Sequence, residues 1–250
     1  MKGLVASNFR RIHKGLLFDI IIMIVSPLLI LLFGQLLNYQ MIDDGYAASE
    51  ITMSSVTQYS SVTTKFLYVI EIFRYCGSAL CYLLVISGLD EVLKLSASYN
   101  NSRRGFLTLI LVNAIALTIK IVSLITGEGD FYAWSESLYA VIDFLIKIVL
   151  GASLFMLFRG NMDVLRSIGE EVAVYRNQTL SMRVAISFPI LGIVILADHF
   201  APEMPLGVTV VVFVFMVFVW IYTFIAYLRG CLCAREVARI VSVISEEVIS

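Results

Sequence analysis

Six apolar runs, at about 16–38, 66–88, 105–126, 137–159, 184–200 and 206–228, constrain this chain more than any other feature. A bilayer core of about 30 Å is crossed by roughly 20 apolar residues in a helix rising about 1.5 Å per residue. Inside hydrocarbon, every backbone N–H and C=O must be satisfied within the protein, so spanning elements are helices or closed barrels. Barrel strands alternate apolar and polar residues, whereas these runs are continuous. The expected fold is all-α: a polytopic integral membrane protein with six transmembrane helices, read as a single transmembrane domain over 1–250. The fifth run is the shortest, holds Pro189 and ends in "DHFAPEMP", so it reads as a kinked or half-inserted helix.

Composition points the same way. The chain is 60% hydrophobic and 15% charged, with a mean hydropathy of +0.91, more apolar surface than a soluble interior can hide. A net charge of −1 and the lack of a basic patch with interleaved aromatics argue against nucleic acid as a partner. The 4 cysteines suggest no disulfide framework. Cys76 and Cys81 lie in an apolar run as packing residues, and Cys231 and Cys233 have no further Cys or His nearby in sequence to complete a metal site. No cofactor or metal is expected. The first apolar run is too long for a cleavable signal and lacks a small-residue cleavage site.

Charge sets the topology. Lys2, Arg10, Arg11, Lys14, Lys94, Arg103, Arg104, Arg159, Arg166, Arg176, Arg183, Arg229, Arg235 and Arg239 all fall on one side of a six-span plan, and Lys65 alone falls opposite. The positive-inside rule places that side, with both termini, in the cytoplasm, and the protein in an inner or plasma membrane. The other face carries Asp43, Asp44, Glu50, Glu128, Asp130, Glu136, Asp198 and Glu203. Its longest connection, about 39–65, contains "ITMSSVTQYSSVTT", read here as a solvated loop. The sequons at Asn100 and Asn177 fall on the cytoplasmic side and are discounted.

A short charged phrase recurs: Glu91-Val92-Leu93-Lys94, Asp163-Val164-Leu165-Arg166 and Glu236-Val237-Ala238-Arg239, spaced 72 and 73 apart, each soon after Gly88, Gly160 or Gly230. "LYVIEIFR" from Leu67 also resembles "LYAVIDFLIK" from Leu138, and double arginines precede the first and third runs. The pattern predicts three repeated helical hairpins, about 1–100, 101–175 and 176–250. Each phrase would begin a short cytoplasmic helix at the headgroups. There Lys94, Arg103, Arg104, Arg166 and Arg239 would contact anionic lipid, a second copy or a cytoplasmic partner protein.

Five charges fall inside runs: Glu71, Arg74, Lys120, Asp143 and Lys147. Such groups cost several kcal/mol each in hydrocarbon, so they face a bundle interior or water. Glu71 with Arg74 and Asp143 with Lys147 have the three- and four-residue spacings of on-helix ion pairs. Glu71, Arg74 and Asp143 fall in the outer half, Lys120 about two turns from its span's outer end and Lys147 near the middle, so the five cluster at similar depth and read as a polar vestibule facing outward. The plainer reading is two self-satisfied pairs and a snorkelling Lys120. Asp19, close after Lys14, reads as interfacial.

No catalytic residues are assigned. "GEGD" at Gly127–Asp130 matches the GxGD phrase of intramembrane aspartyl proteases, but it lies in a short loop without a second motif and reads as a turn. No HExxH, GxSxG or Walker motif is present. The six-span plan and the basic lead-in "MKGLVASNFRRIHKGLLFDI" resemble small ABC exporter permeases. That resemblance implies a separate ATPase docking on "SASYNNSRRGF" after the second span. No diagnostic motif of that family is present, and a threefold repeat is not expected there. The leading expectation is a transport-class protein, permease-like or channel-like, whose outer-half charges take a small polar or charged solute. The alternative is a sensor, assembly factor or signalling adaptor working through loops and cytoplasmic helices.

The topology is checked by thiol labelling in a Cys-free background. Asp44→Cys and Glu128→Cys should react with an impermeant maleimide applied outside, and Arg104→Cys only after permeabilisation. The reverse pattern would invert the protein.

Overall fold

The computed structural model describes the backbone of residues 2–43, 53–126, 130–200 and 206–247, and the side chains of 6–30, 32, 66–126, 137–197, 199 and 210–243. Six helices account for nearly all of it: α1 Lys2–Asp43, α2 Met53–Val92, α3 Ala97–Thr126, α4 Asp130–Ser167, α5 Glu171–Phe200 and α6 Leu206–Glu247. There is no strand among the described residues. Each helix contains a segment long and apolar enough to cross a membrane: Ala6–Ile30, Phe66–Leu95, Ala97–Thr126, Ser137–Ser167, Glu171–Ala197 and Val210–Val243.

The helices form a ring. Each packs on its neighbours in sequence, and α6 returns to α1 to close the circuit. Close approach between α1 and α2 depends on two glycines. A Cβ on Gly15 would lie 2.7 Å from the Cys81 carbonyl oxygen, and one on Gly88 would lie 2.7 Å from the Asn8 carbonyl oxygen. Small residues at helix contacts let backbones approach where no hydrophobic effect drives association.

The ends of the helices that carry the basic residues, here the basic end, enclose a solid core. Phe9, Ile12, Leu16, Val85, Leu89, Tyr99, Phe106, Leu154, Leu157, Phe158, Val184, Phe188 and Tyr227 are all buried there. Phe9 and Tyr99 meet edge to face with ring centroids 6.1 Å apart. Polar side chains tie neighbouring helices at the same level. The Tyr99 hydroxyl donates to Asn161 Oδ1 at 2.9 Å, and Ser102 Oγ donates to the Ser153 carbonyl at 2.9 Å.

Local chemistry explains the two turns at this end. Ser96 is extended and caps α3, its Oγ accepting the Ser98 N–H at 3.1 Å. Gly169 has φ +80, a left-handed position that suits glycine, and the Glu170 N–H reaches back to the Leu165 carbonyl at 3.0 Å to finish α4. Glu170 and Glu171 then place negative charge at the start of α5.

Several expectations change. The stretch read as a solvated loop is helical from Met53 onward. No Gly or Pro stands between Tyr46 and Cys76 to stop the helix propagating backward from the apolar run. Residues 44–52, Gly127–Gly129 of "GEGD", and the side chains of the acidic residues expected on the far face lie outside those described. The fifth span is not short: α5 has 30 residues and starts at Glu171. Its first turns hold Arg176, Asn177 and Arg183, so counting apolar residues alone places its start too late. The charged phrases do not begin separate helices. "MDVLR" and "REVAR" lie inside α4 and α6, and "DEVLK" runs from the last turn of α2 into a 3-10 turn, Leu93–Leu95.

Overpacking a close backbone crossing costs about 1–3 kcal/mol. Gly15→Ala and Gly88→Ala should each lower thermal stability in detergent by that order, whereas Arg104→Ala, at an exposed position, should leave it unchanged.

Candidate functional site

On the side of the core away from the basic end, the ring encloses a cavity of about 200 Å³. Charged residues from three helices line it: Asp19 on α1, Glu71 and Arg74 on α2, and Asp143 and Lys147 on α4. Tyr75, Ser78, Tyr82, Asn113 and Ser26 add polar walls, and Met23, Ile146, Leu191 and Trp220 add apolar ones. Four of the five intrahelical charges expected to gather therefore border one space.

Their pairing differs from the on-helix scheme. Arg74 Nη2 lies 3.3 Å from both Asp143 carboxylate oxygens, an ion pair between α2 and α4. Arg74 also donates to the Tyr75 hydroxyl at 2.8 Å, and that hydroxyl donates to Asp143 Oδ1 at 3.1 Å. Glu71 pairs with Lys120 on α3. Neither Glu71–Arg74 nor Asp143–Lys147 forms an ion pair among the described residues. Glu71 meets its opposite charge on the next helix, whereas Arg74 reaches past α3 to α4, and each pair fixes two helices together.

Lys120 does not snorkel. Its side chain is 5% exposed. Its ammonium sits 3.6 Å from the Tyr139 ring centroid and 4.4 Å from that of Tyr68. Two aromatic faces and a carboxylate replace its hydration shell. It stands behind Glu71 and outside the cavity lining.

Asp19 is the larger correction. It is 1% exposed, not interfacial. Its Oδ2 accepts the Tyr227 hydroxyl at 2.8 Å and the Tyr82 hydroxyl at 3.4 Å, joining α1 to both α6 and α2. Its Oδ1 is buried without a hydrogen-bond partner. Helical phase carries the missed signal. Phe9, Ile12, Leu16 and Asp19 recur at three- and four-residue steps, so Asp19 continues the buried stripe of α1. Lys120 continues the corresponding stripe of α3, after Leu109, Asn113 and Ala116.

At the basic end the expected contact residues divide. Lys94, Arg104, Arg166 and Arg239 are exposed. Arg103 is engaged with Asp90, and Arg176 with Glu236 at 2.9 Å. Asp163 accepts Ser96 Oγ at 2.6 Å. Asp163 and Glu236, which hold matching places in their phrases, thus make different contacts, and the first phrase engages Arg103 through Asp90, one residue before its matching Glu91. "SASYNNSRRGF" is the cap and first turns of α3 rather than a free segment, and its Tyr99 is fully buried. Asn177 is buried as well, and its amide donates to the Ala173 carbonyl at 2.9 Å. The histidine that Cys231 lacked in sequence is supplied in space: His13 Nδ1 lies 3.2 Å from its Sγ, between α1 and α6. Among the described residues no three His, Cys, Asp or Glu side chains gather as a metal site.

Breaking a buried ion pair by removing one partner costs on the order of 3 kcal/mol, because the other charge stays behind. Lys120→Met should therefore destabilise strongly, and Glu71→Gln with Lys120→Met should recover most of the loss in a thermal unfolding series. Compared with family models, with curated proteins and with solved structures, the chain matches none.

Proposed function

We propose that this is a transport-class membrane protein whose charged cavity holds a small polar or charged solute. One observation carries the reading: five ionisable side chains border a single space inside a bundle of membrane-spanning length. Ionisable groups at membrane depth are costly, and they ordinarily mark a solute or ion path. The cavity volume of about 200 Å³ falls below the roughly 300–1,000 Å³ of drug-sized pockets, so the solute is small. The basic end is cytoplasmic on the charge-bias argument, and the cavity then belongs to the outer half, with the aromatic core as the closed inner side. Three diverged hairpins, α1–α2, α3–α4 and α5–α6, remain the proposed architecture behind the recurring phrases. Exposed Lys94, Arg104, Arg166 and Arg239 face anionic lipid or a partner protein. For an ABC permease subunit, the early commitment of "SASYNNSRRGF" to α3 leaves little free chain for an ATPase to grip.

The test is flux. Protein reconstituted in vesicles should release or take up at least one of a panel of small labelled polar solutes. The double variant Arg74→Gln, Asp143→Asn removes the pair without stranding a charge. It should lower that flux at least tenfold while thermal stability holds. No flux by the parent protein, or undiminished flux by the variant, would favour the sensor or adaptor reading instead.

A further inference from the structure

We infer that the cavity is built for a zwitterion, a small apolar α-amino acid, whose ammonium group Asp19 takes and whose carboxylate Lys147 takes. The inference rests on the solute-cavity reading above and adds the substrate class. It follows from which charges are already used. Arg74 is held by Asp143, and Lys120 by Glu71. That leaves one carboxylate and one ammonium on the cavity wall. Asp19 Oδ1 makes no hydrogen bond of ordinary distance and angle, the Ser78 hydroxyl standing near the carboxylate. Lys147 makes no hydrogen bond and no ion pair within 4.0 Å among the described residues. Asp19 and Lys147 border the same cavity and make no ion pair with each other, and Asp143, one turn before Lys147, is committed to Arg74.

A buried carboxylate oxygen without a donor is expensive. So is a half-buried ammonium without an acceptor. Two such groups of opposite sign, facing one cavity and not in contact, are the complement of a molecule carrying both charges at its two ends. Binding would give each group a direct charge-assisted hydrogen bond. A solute with a single charge would satisfy one group and leave the other stranded. The rest of the wall sets the side chain. Met23, Ile146, Leu191 and Trp220 are apolar, and no further unpaired charge faces the space to match an acidic or basic side chain. Alanine or valine fits this description better than aspartate or lysine.

The test uses the full chain, purified in detergent. Thermal stability is followed against glycine, L-alanine, L-valine, L-aspartate and L-lysine, with methylammonium and acetate as half-molecules. L-alanine or L-valine should raise the melting temperature saturably. Each half-molecule should need at least tenfold more ligand for the same shift. Asp19→Asn and Lys147→Gln should each weaken the L-alanine response at least tenfold, and Arg104→Gln should not. A panel in which no amino acid shifts stability overturns the inference. So does one in which acetate or methylammonium alone matches L-alanine. The panel on the parent protein decides the matter even if Asp19→Asn fails to fold. The two readings also fail separately. Amino-acid binding without vesicle flux would remove transport and keep the zwitterion site. Flux of a solute that is not a zwitterion would do the opposite.

Discussion

An ion buried in an apolar bundle is costly unless an opposite charge or a hydroxyl from another helix meets it, and three such meetings organise the molecule. Arg74 reaches Asp143 across from α2 to α4, and Glu71 reaches Lys120 from α2 to α3. Asp19 draws the hydroxyls of Tyr82 and Tyr227, so one carboxyl group joins the first helix to the second and to the last. These charges, intolerable alone, become clamps between helices. The fold would close around any apolar contacts of the right shape. These polar pairs restrict which faces can turn inward.

The ring divides its two ends between different tasks. Toward the basic end, aromatic and branched side chains fill the centre, and Gly15 and Gly88 let α1 and α2 touch at backbone distance. Toward the other end, the same helices leave a cavity bordered by ionisable groups. A filled half supports an open half: the open one carries groups that cost stability, and the close-packed one offsets that cost. Asp19 and Tyr227 sit at the junction, so whatever changes the state of that carboxyl acts directly on the seam between α1 and α6.

Much of the fold is legible in the residues. Six helices follow from six continuous apolar runs, and five unusual charges stand out because hydrocarbon leaves them no solvent. Helix ends are harder to read. The start of α2 at Met53 and of α5 at Glu171 lie in polar sequence, where nothing breaks a helix and hydropathy says nothing about continuation. Pairing was harder still. Spacings of three and four suggested Glu71 with Arg74 and Asp143 with Lys147, but spacing reports only which residues share a face. It cannot tell what stands opposite that face.

By itself the sequence determined that the chain crosses a hydrophobic layer as helices, because backbone polar groups have no other way to be satisfied there. It also determined that a few ionisable groups sit at depth. Only the tertiary structure decided who meets whom. It took Lys120 out of the cavity and set it between tyrosine rings. It moved Asp19 from the surface to the floor of the cavity, and left Asp19 and Lys147 facing the same space without contact. The physical reason is that burial of a helix face depends on neighbours distant in the chain, and Tyr227 lies 208 residues from the aspartate it binds.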